Sequence, residues 1–160
     1  MRVAPATADD ADALADLWVD LARGQRTHGS HLRAAENRSV ARESLLRHVV
    51  AGELLVARDG DRILGFVTVS IETGEYETDA SRGIVENLFV RPDYRNAGIG
   101  GELLAAGEEL LADRGAEVVK LEVVADNRAA RRFYRRRGYE PHRVVLERPL
   151  ESDNHTRDNE

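Results

Sequence analysis

Cysteine is absent from the 160 residues, which excludes disulfides and thiolate catalysis. No apolar run approaches the roughly 18 residues that a membrane span requires. The first residues, Met1-Arg2-Val3-Ala4-Pro5, lack the apolar stretch of a signal peptide. The cytoplasm is therefore the expected compartment, and no membrane partner is expected. Acidic residues outnumber basic ones, 29 to 23, for a net charge of −6, which argues against general nucleic-acid binding. Lys120 is the sole lysine. The 5 histidines build no metal site. His28 and His31 are close in sequence but lie in an aperiodic connection with no cysteine nearby, where contact with substrate stays open. No Ser-His-Asp arrangement stands at an interpretable spacing.

What is present is 42% hydrophobic, which suits one globular domain with a proper core. Residues 1–150 are expected to form that domain. Residues 151–160 are polar and charged without an apolar anchor, and read as a disordered acidic tail. Arg2 to Pro5 reads as a short strand. Leu14, Leu17, Trp18 and Leu21 recur at helical spacing behind the capping residues Thr7 to Asp10. Ser39 caps a second helix that Gly52 ends. Strands are expected at Leu54 to Ala57, Ile63 to Ile71, Ile84 to Val90, Val118 to Val124 and Arg143 to Arg148, with Asp59-Gly60 as a hairpin turn. Helices are expected from Ile99 to about Arg114 and from Asn127 to Arg137. The alternation implies an α/β domain. The fourth and fifth strands, joined through a helix, are expected to be parallel.

The most informative stretch is Arg95-Asn96-Ala97-Gly98-Ile99-Gly100, followed by Gly101. A glycine-rich turn into a helix start exposes unpaired backbone N–H groups at the positive end of the helix dipole. Such a turn is suited to phosphate or pyrophosphate. Glycine lets the backbone approach a ligand with no Cβ in the way, and Arg95 adds a charge that can bind phosphate oxygens in pairs. The P-loop reading fails because Gly101, Glu102 and Leu103 stand where a Lys-Ser/Thr pair should follow. The dinucleotide reading fails because Leu103 replaces the third glycine and the turn after the strand is too slack.

The remaining pattern, Arg/Gln-x-x-Gly-x-Gly/Ala, is that of an acyl-coenzyme A pyrophosphate loop. The run from Val85 to Leu104 resembles the strand-loop-helix core of the GNAT family of N-acetyltransferases. The run from Leu121 to Glu140, with Asn127, Ala130, Phe133-Tyr134 and Gly138-Tyr139, resembles that family's second signature. The resemblance spans roughly residues 2 to 148. It implies a mixed, mostly antiparallel sheet of about six to seven strands flanked by helices, with the fourth and fifth strands parallel and splayed. It also implies acetyl-CoA as cosubstrate, no metal, an amine acceptor, and room for a homodimer.

By the same resemblance, the strand before the loop carries a bulge. Backbone groups at Leu88 and Val90, flanking Phe89, would then hold the pantetheine arm and the thioester carbonyl. Asn96, Ala97, Ile99 and Gly101 would line the pyrophosphate turn with Arg95, Gly98 and Gly100. Asn127 would hydrogen-bond the arm or start its helix, and Arg131 is one of four arginines that could meet the 3′-phosphate or simply face solvent. Glu86, in a strand otherwise nearly all apolar, reads either as a base with a pKa raised by partial burial or as a glutamate facing solvent. A glutamate stands at this place in the GNAT polyamine acetyltransferases that the strand resembles. Tyr134 shares a helix face with Asn127. It reads either as the acid that meets the departing sulfur, a phenol near pKa 10 against a thiol near about 8.5, or as a core tyrosine behind Phe133.

The acceptor is not specified by any motif. Glu72, Glu75, Glu77 and Asp79 form a loop without a cation. Such a loop could attract a polyamine, an aminoglycoside-like sugar, a protein lysine or a protein N-terminus, or could be plain solvated surface. Two other classes stay in view: a non-catalytic acyl-CoA-binding regulatory module, and a protein using the loop for ATP or NAD.

Overall fold

The computed structural model describes residues 1–151. The expected tail falls almost wholly on residues 152–160, outside the described residues. Five strands form one sheet: β1 (Arg2–Pro5), β2 (Leu54–Asp59), β3 (Arg62–Ile71), β4 (Arg82–Val90) and β5 (Val118–Leu121). The strands lie in sequence order. The first four pair antiparallel, and β4 pairs parallel with β5. The α-helices are α1 (Ala11–Arg26), α2 (Arg38–Val50), α3 (Ile99–Asp113) and α4 (Arg128–Arg136), with short 3-10 helices at Ala8–Asp10, Ala35–Asn37 and Pro92–Tyr94. Among the described residues, no helix is long and apolar enough to cross a membrane. The chain separates into two compact units, Met1–Asn127 and one that begins at Arg128.

In the first unit the sheet is covered on both faces. Alternation along β3 places Phe66 and Thr68 on one face and Val67 and Val69 on the other. The first face packs under α1 and α2, where Leu14, Leu17, Leu45, Leu54, Val56, Phe66 and Phe89 form one buried cluster. The second face receives α3 through Leu103, Leu104 and Leu111, all fully buried. Burial of each such leucine contributes about 1.5–3 kcal/mol. Leu110 is only half-buried. Gly107 sits at the sheet instead, where a Cβ would lie 3.1 Å from Val69. A Cβ on Gly83 would lie closer still, 2.8 Å from the Leu111 side chain. The two glycines set how closely α3 approaches β3 and β4.

The start of α1 is fastened to the sheet by Asp10. Its carboxylate accepts from the Thr7 N–H at 2.9 Å and from Arg58 Nη2 at 2.7 Å. Burial pushes this acid up, but the Thr7 and Arg58 donors outweigh it and hold Asp10 below the usual carboxylate range.

Among the described residues the sheet has five strands, not six to seven. The run Arg143 to Arg148 forms no strand, and Val144, Val145 and Leu146 are exposed. β-Branched residues fit a pleated surface, but a strand also needs a neighbour to complete its hydrogen bonds. Strand β5 is also shorter than its apolar pattern implies: it ends at Leu121, not at Val124.

Candidate active site

The parallel pairing of β4 with β5 stops at Val85 and Leu121. β4 continues for five residues beyond this point, to Val90. Its outer edge there has no strand neighbour among the described residues. The register against β3 passes from Thr68–Asn87 to Val69–Val85, so Glu86 is the extra residue of a bulge. A bulge changes which backbone groups face which edge. The Arg91 N–H donates to the Leu64 carbonyl at 2.8 Å, so alternation turns Asn87 and Phe89 toward β3. Leu88 and Val90 therefore turn their backbone groups to the open edge. The Val90 carbonyl accepts from Arg95 Nε at 3.0 Å. Phe89 serves differently: its ring is buried beside Phe66 and lies 5.6 Å beneath the Arg95 guanidinium.

The chain then turns into α3. Asn96 (φ 66°) and Gly98 (φ 84°) both take left-handed backbone. Ile99 buries its side chain, which anchors the first turn. After Arg95, the first backbone donor with a backbone partner is the Glu102 N–H, which reaches the Gly98 carbonyl at 3.1 Å. No side chain caps the helix. The N–H groups of Asn96, Ala97, Gly98, Ile99, Gly100 and Gly101 thus lie at the positive helix end without a backbone partner among the described residues, the arrangement that binds pyrophosphate. A Cβ built on Gly98 would meet nothing within 4 Å.

Glu86 is exposed, so the partial burial expected of it is not found. Its carboxylate accepts from Ser70 Oγ at 2.7 Å. Ser70 and Thr68 alternate with valines along β3, on the face that carries Phe66. Those two hydroxyls were the sequence signal for this part of the site, and reasoning from β4 alone missed them. Glu86 and Asn87 occupy the two bulge positions opposite Thr68 on that face.

The acidic loop also differs from its sequence reading. Glu72 is paired with Arg82 and with Lys120, so it is not free of cations. The Lys120 ammonium, helped by Arg82, holds its carboxyl below the usual carboxylate range. Glu75, Glu77 and Asp79 remain exposed. His28, half-buried at the end of α1, places Nδ1 3.1 Å from Asp126 Oδ2. This bond ties α1 to the segment after β5. Among the described residues no group of acids and histidines could hold a metal ion.

Asn127 closes the first unit, with its N–H on the Val124 carbonyl at 2.9 Å. In the second unit Tyr134 packs edge-on to Phe133 and Tyr139, at 5.2 and 5.8 Å between ring centres. Burial pushes its phenol up to about 12. Arg131 lines a shallow recess on α4 with Arg128, Arg132 and Arg135. The Arg137 guanidinium lies 4.0 Å over the Phe133 ring.

Comparison with known proteins places this arrangement. The chain is 39% identical to a mycothiol acetyltransferase of Clavibacter sepedonicus over 139 residues, which cover 83% of this chain and 40% of that protein. The chain thus spans less than half the length of that curated relative. An uncharacterized N-acetyltransferase of Bacillus subtilis is 31% identical, with 88% of this chain and 90% of that one covered. The crystal structure of a Thermoplasma acidophilum PaiA N-acetyltransferase in complex with coenzyme A superimposes with a TM-score of 0.73 at 17% identity, covering 90% of this chain and 92% of that one. This likeness speaks for the fold. The family model for the acetyltransferase (GNAT) family matches residues 12–139, and with the open β4 edge leading into the pyrophosphate-type loop, the chain belongs to the GNAT family.

Proposed function

We propose that the protein transfers an acetyl group from acetyl-CoA to a primary amine of a small molecule or a protein, by direct attack. The observation that carries this reading is the continuity of the open β4 edge with the unpaired N–H groups of residues 96–101. One surface can hold the pantetheine arm along Leu88 and Val90 and the pyrophosphate at the helix start. The relatives named acetyltransferases support the same chemistry.

In this reading the amine gives its proton to Glu86, directly or through water, and attacks the thioester carbon. The carbon–nitrogen bond forms, the carbon–sulfur bond breaks, and coenzyme A leaves as thiolate. Tyr134 is read as the group that meets that thiolate. A phenol near 12 does not surrender its proton to a thiolate whose acid has a pKa near about 8.5. Tyr134 therefore acts as a standing hydrogen-bond donor, and solvent supplies the thiol proton. The likeness of mycothiol acetyltransferase adds no acceptor, since less than half of that protein is matched.

Release of free thiol from acetyl-CoA over a panel of amines tests the activity. Titration of coenzyme A against ATP and NAD tests the ligand. Thiol release separates the enzyme from a binding-only regulatory module.

Two expected outcomes concern the ligands. Gly98→Val puts a β-branched residue where φ is 84°, a strain of roughly 1–2 kcal/mol. It meets no protein atom, so the fold survives while coenzyme A binding is lost. A calorimetric titration matching the parent's would remove the loop from the coenzyme site. The exposed Glu75, Glu77 and Asp79 are proposed to steer cationic acceptors, without Glu72. The Debye length falls from about 10 Å at 0.1 M salt to about 3 Å at 1 M. Affinity for a polyamine should weaken across that range and coenzyme A affinity should weaken less. Glu75→Gln with Glu77→Gln should flatten the amine's salt dependence. Parent-like amine affinity at every salt concentration would make the loop a solvated edge.

A further inference from the structure

Thr68 is fully buried, yet its Oγ1 has no hydrogen-bond partner among the described residues. A buried hydroxyl left unpaired costs stability, and a valine of the same shape would avoid that cost. Its place in the sheet is specific. Its cross-strand neighbours are Leu54, itself buried, and Asn87. Asn87 is half-buried and stands beside the exposed Glu86 in the bulge. Polar groups thus step outward on one face of the sheet, from the core hydroxyl of Thr68 through the amide of Asn87 to the carboxylate of Glu86, which Ser70 steadies at 2.7 Å.

We propose that Asn87 binds the acceptor amine and that Thr68 is its positioning residue, an inference that rests on the acetyltransferase reading. An amide has an acceptor end and a donor end. With Asn87 Oδ1 accepting an N–H of the incoming amine, Nδ2 turns inward and donates to Thr68 Oγ1. In that orientation the orphan hydroxyl gains its partner, as acceptor. The amine is held with one hydrogen on Asn87 and a second within reach of Glu86, which leaves its lone pair for the thioester carbon. A primary amine supplies both hydrogens, and a secondary amine supplies one fewer. The site therefore favours primary over secondary amines, and Thr68 holds the Asn87 side chain in place from inside the core.

Thr68→Val, Thr68→Ser, Asn87→Ala and the Thr68→Val/Asn87→Ala double variant test this, with melting temperature, coenzyme A affinity and kcat/KM for an amine measured in each. Thr68→Val should melt at or above the parent's temperature and bind coenzyme A equally. Its kcat/KM for a primary amine should fall about tenfold, the worth of one hydrogen bond at its upper end. Thr68→Ser should retain parent-like kcat/KM, and the double variant should be no slower than Asn87→Ala alone, as coupled residues behave. Parent-like kcat/KM in Thr68→Val, or losses that multiply in the double variant, would overturn the proposal. A parent that releases no thiol with any amine overturns the acetyltransferase reading itself, and is recognised without any variant.

Discussion

Glu86→Gln lowers turnover by roughly two to four orders of magnitude, the range for a positioned base, while acetyl-CoA affinity stays at the parent's level. The side chain projects from the bulge and is exposed, so the substitution disturbs no core packing. The glutamine can still accept from Ser70 Oγ, so the local geometry is kept and only the proton acceptor is lost. An effect on turnover without one on cosubstrate binding marks an interaction made in the transition state. Steady-state kinetics, with acetyl-CoA affinity measured separately, provide the check. Unaltered turnover would leave Glu86 as a solvent-facing residue.

Tyr134→Phe removes one hydroxyl and keeps the ring between Phe133 and Tyr139. On its proposed role, the hydrogen bond lost to a charged sulfur is worth about 1.5–3 kcal/mol, so turnover should fall about ten- to a hundredfold. The parent's rate should show no alkaline limb from this group through neutral and mildly alkaline pH, because its pKa stands near 12. Stability carries the opposite signature. Burial raises the phenol's folded pKa above its unfolded value near about 10. The native state therefore binds the proton more tightly between these values. That stabilisation is complete below about pH 10 and is lost as pH rises through about 12. Tyr134→Phe should show a shallower loss of stability over the same window. A variant that unfolds at neutral pH, without a turnover defect in the folded fraction, would make Tyr134 a packing residue alone.

The glycine turn into a helix start was legible in the sequence because it is local. The glycines, the helix start and the arginine are all written within Arg95 to Gly101. The helices and the first five strands were legible because each carries its own period. Three features were not, since each depends on what lies across the sheet. The resemblance implied a bulge in this strand, but its place at Glu86 exists only in the register of β4 against β3. The exposure of Glu86 follows from that register, although its neighbours in sequence are apolar. Glu72 looked uncompensated because Arg82 and Lys120 come from other strands. The run Arg143 to Arg148 failed in the opposite sense: its local pattern was that of a strand, but pairing with a neighbour is what makes one, and no local pattern encodes that.

Gly83 and Gly107 bear on the proposed coenzyme site from a distance. By letting α3 sit directly against β3 and β4, they fix the helix whose first turn presents the unpaired N–H groups. On the proposed reading, a helix seated this way aims those groups in advance and lowers the backbone freedom that binding costs. Affinity would then be a property of preorganisation as much as of contact. Side chains lodged between α3 and the sheet, well away from any phosphate, should weaken coenzyme A binding by loosening the frame that aims it.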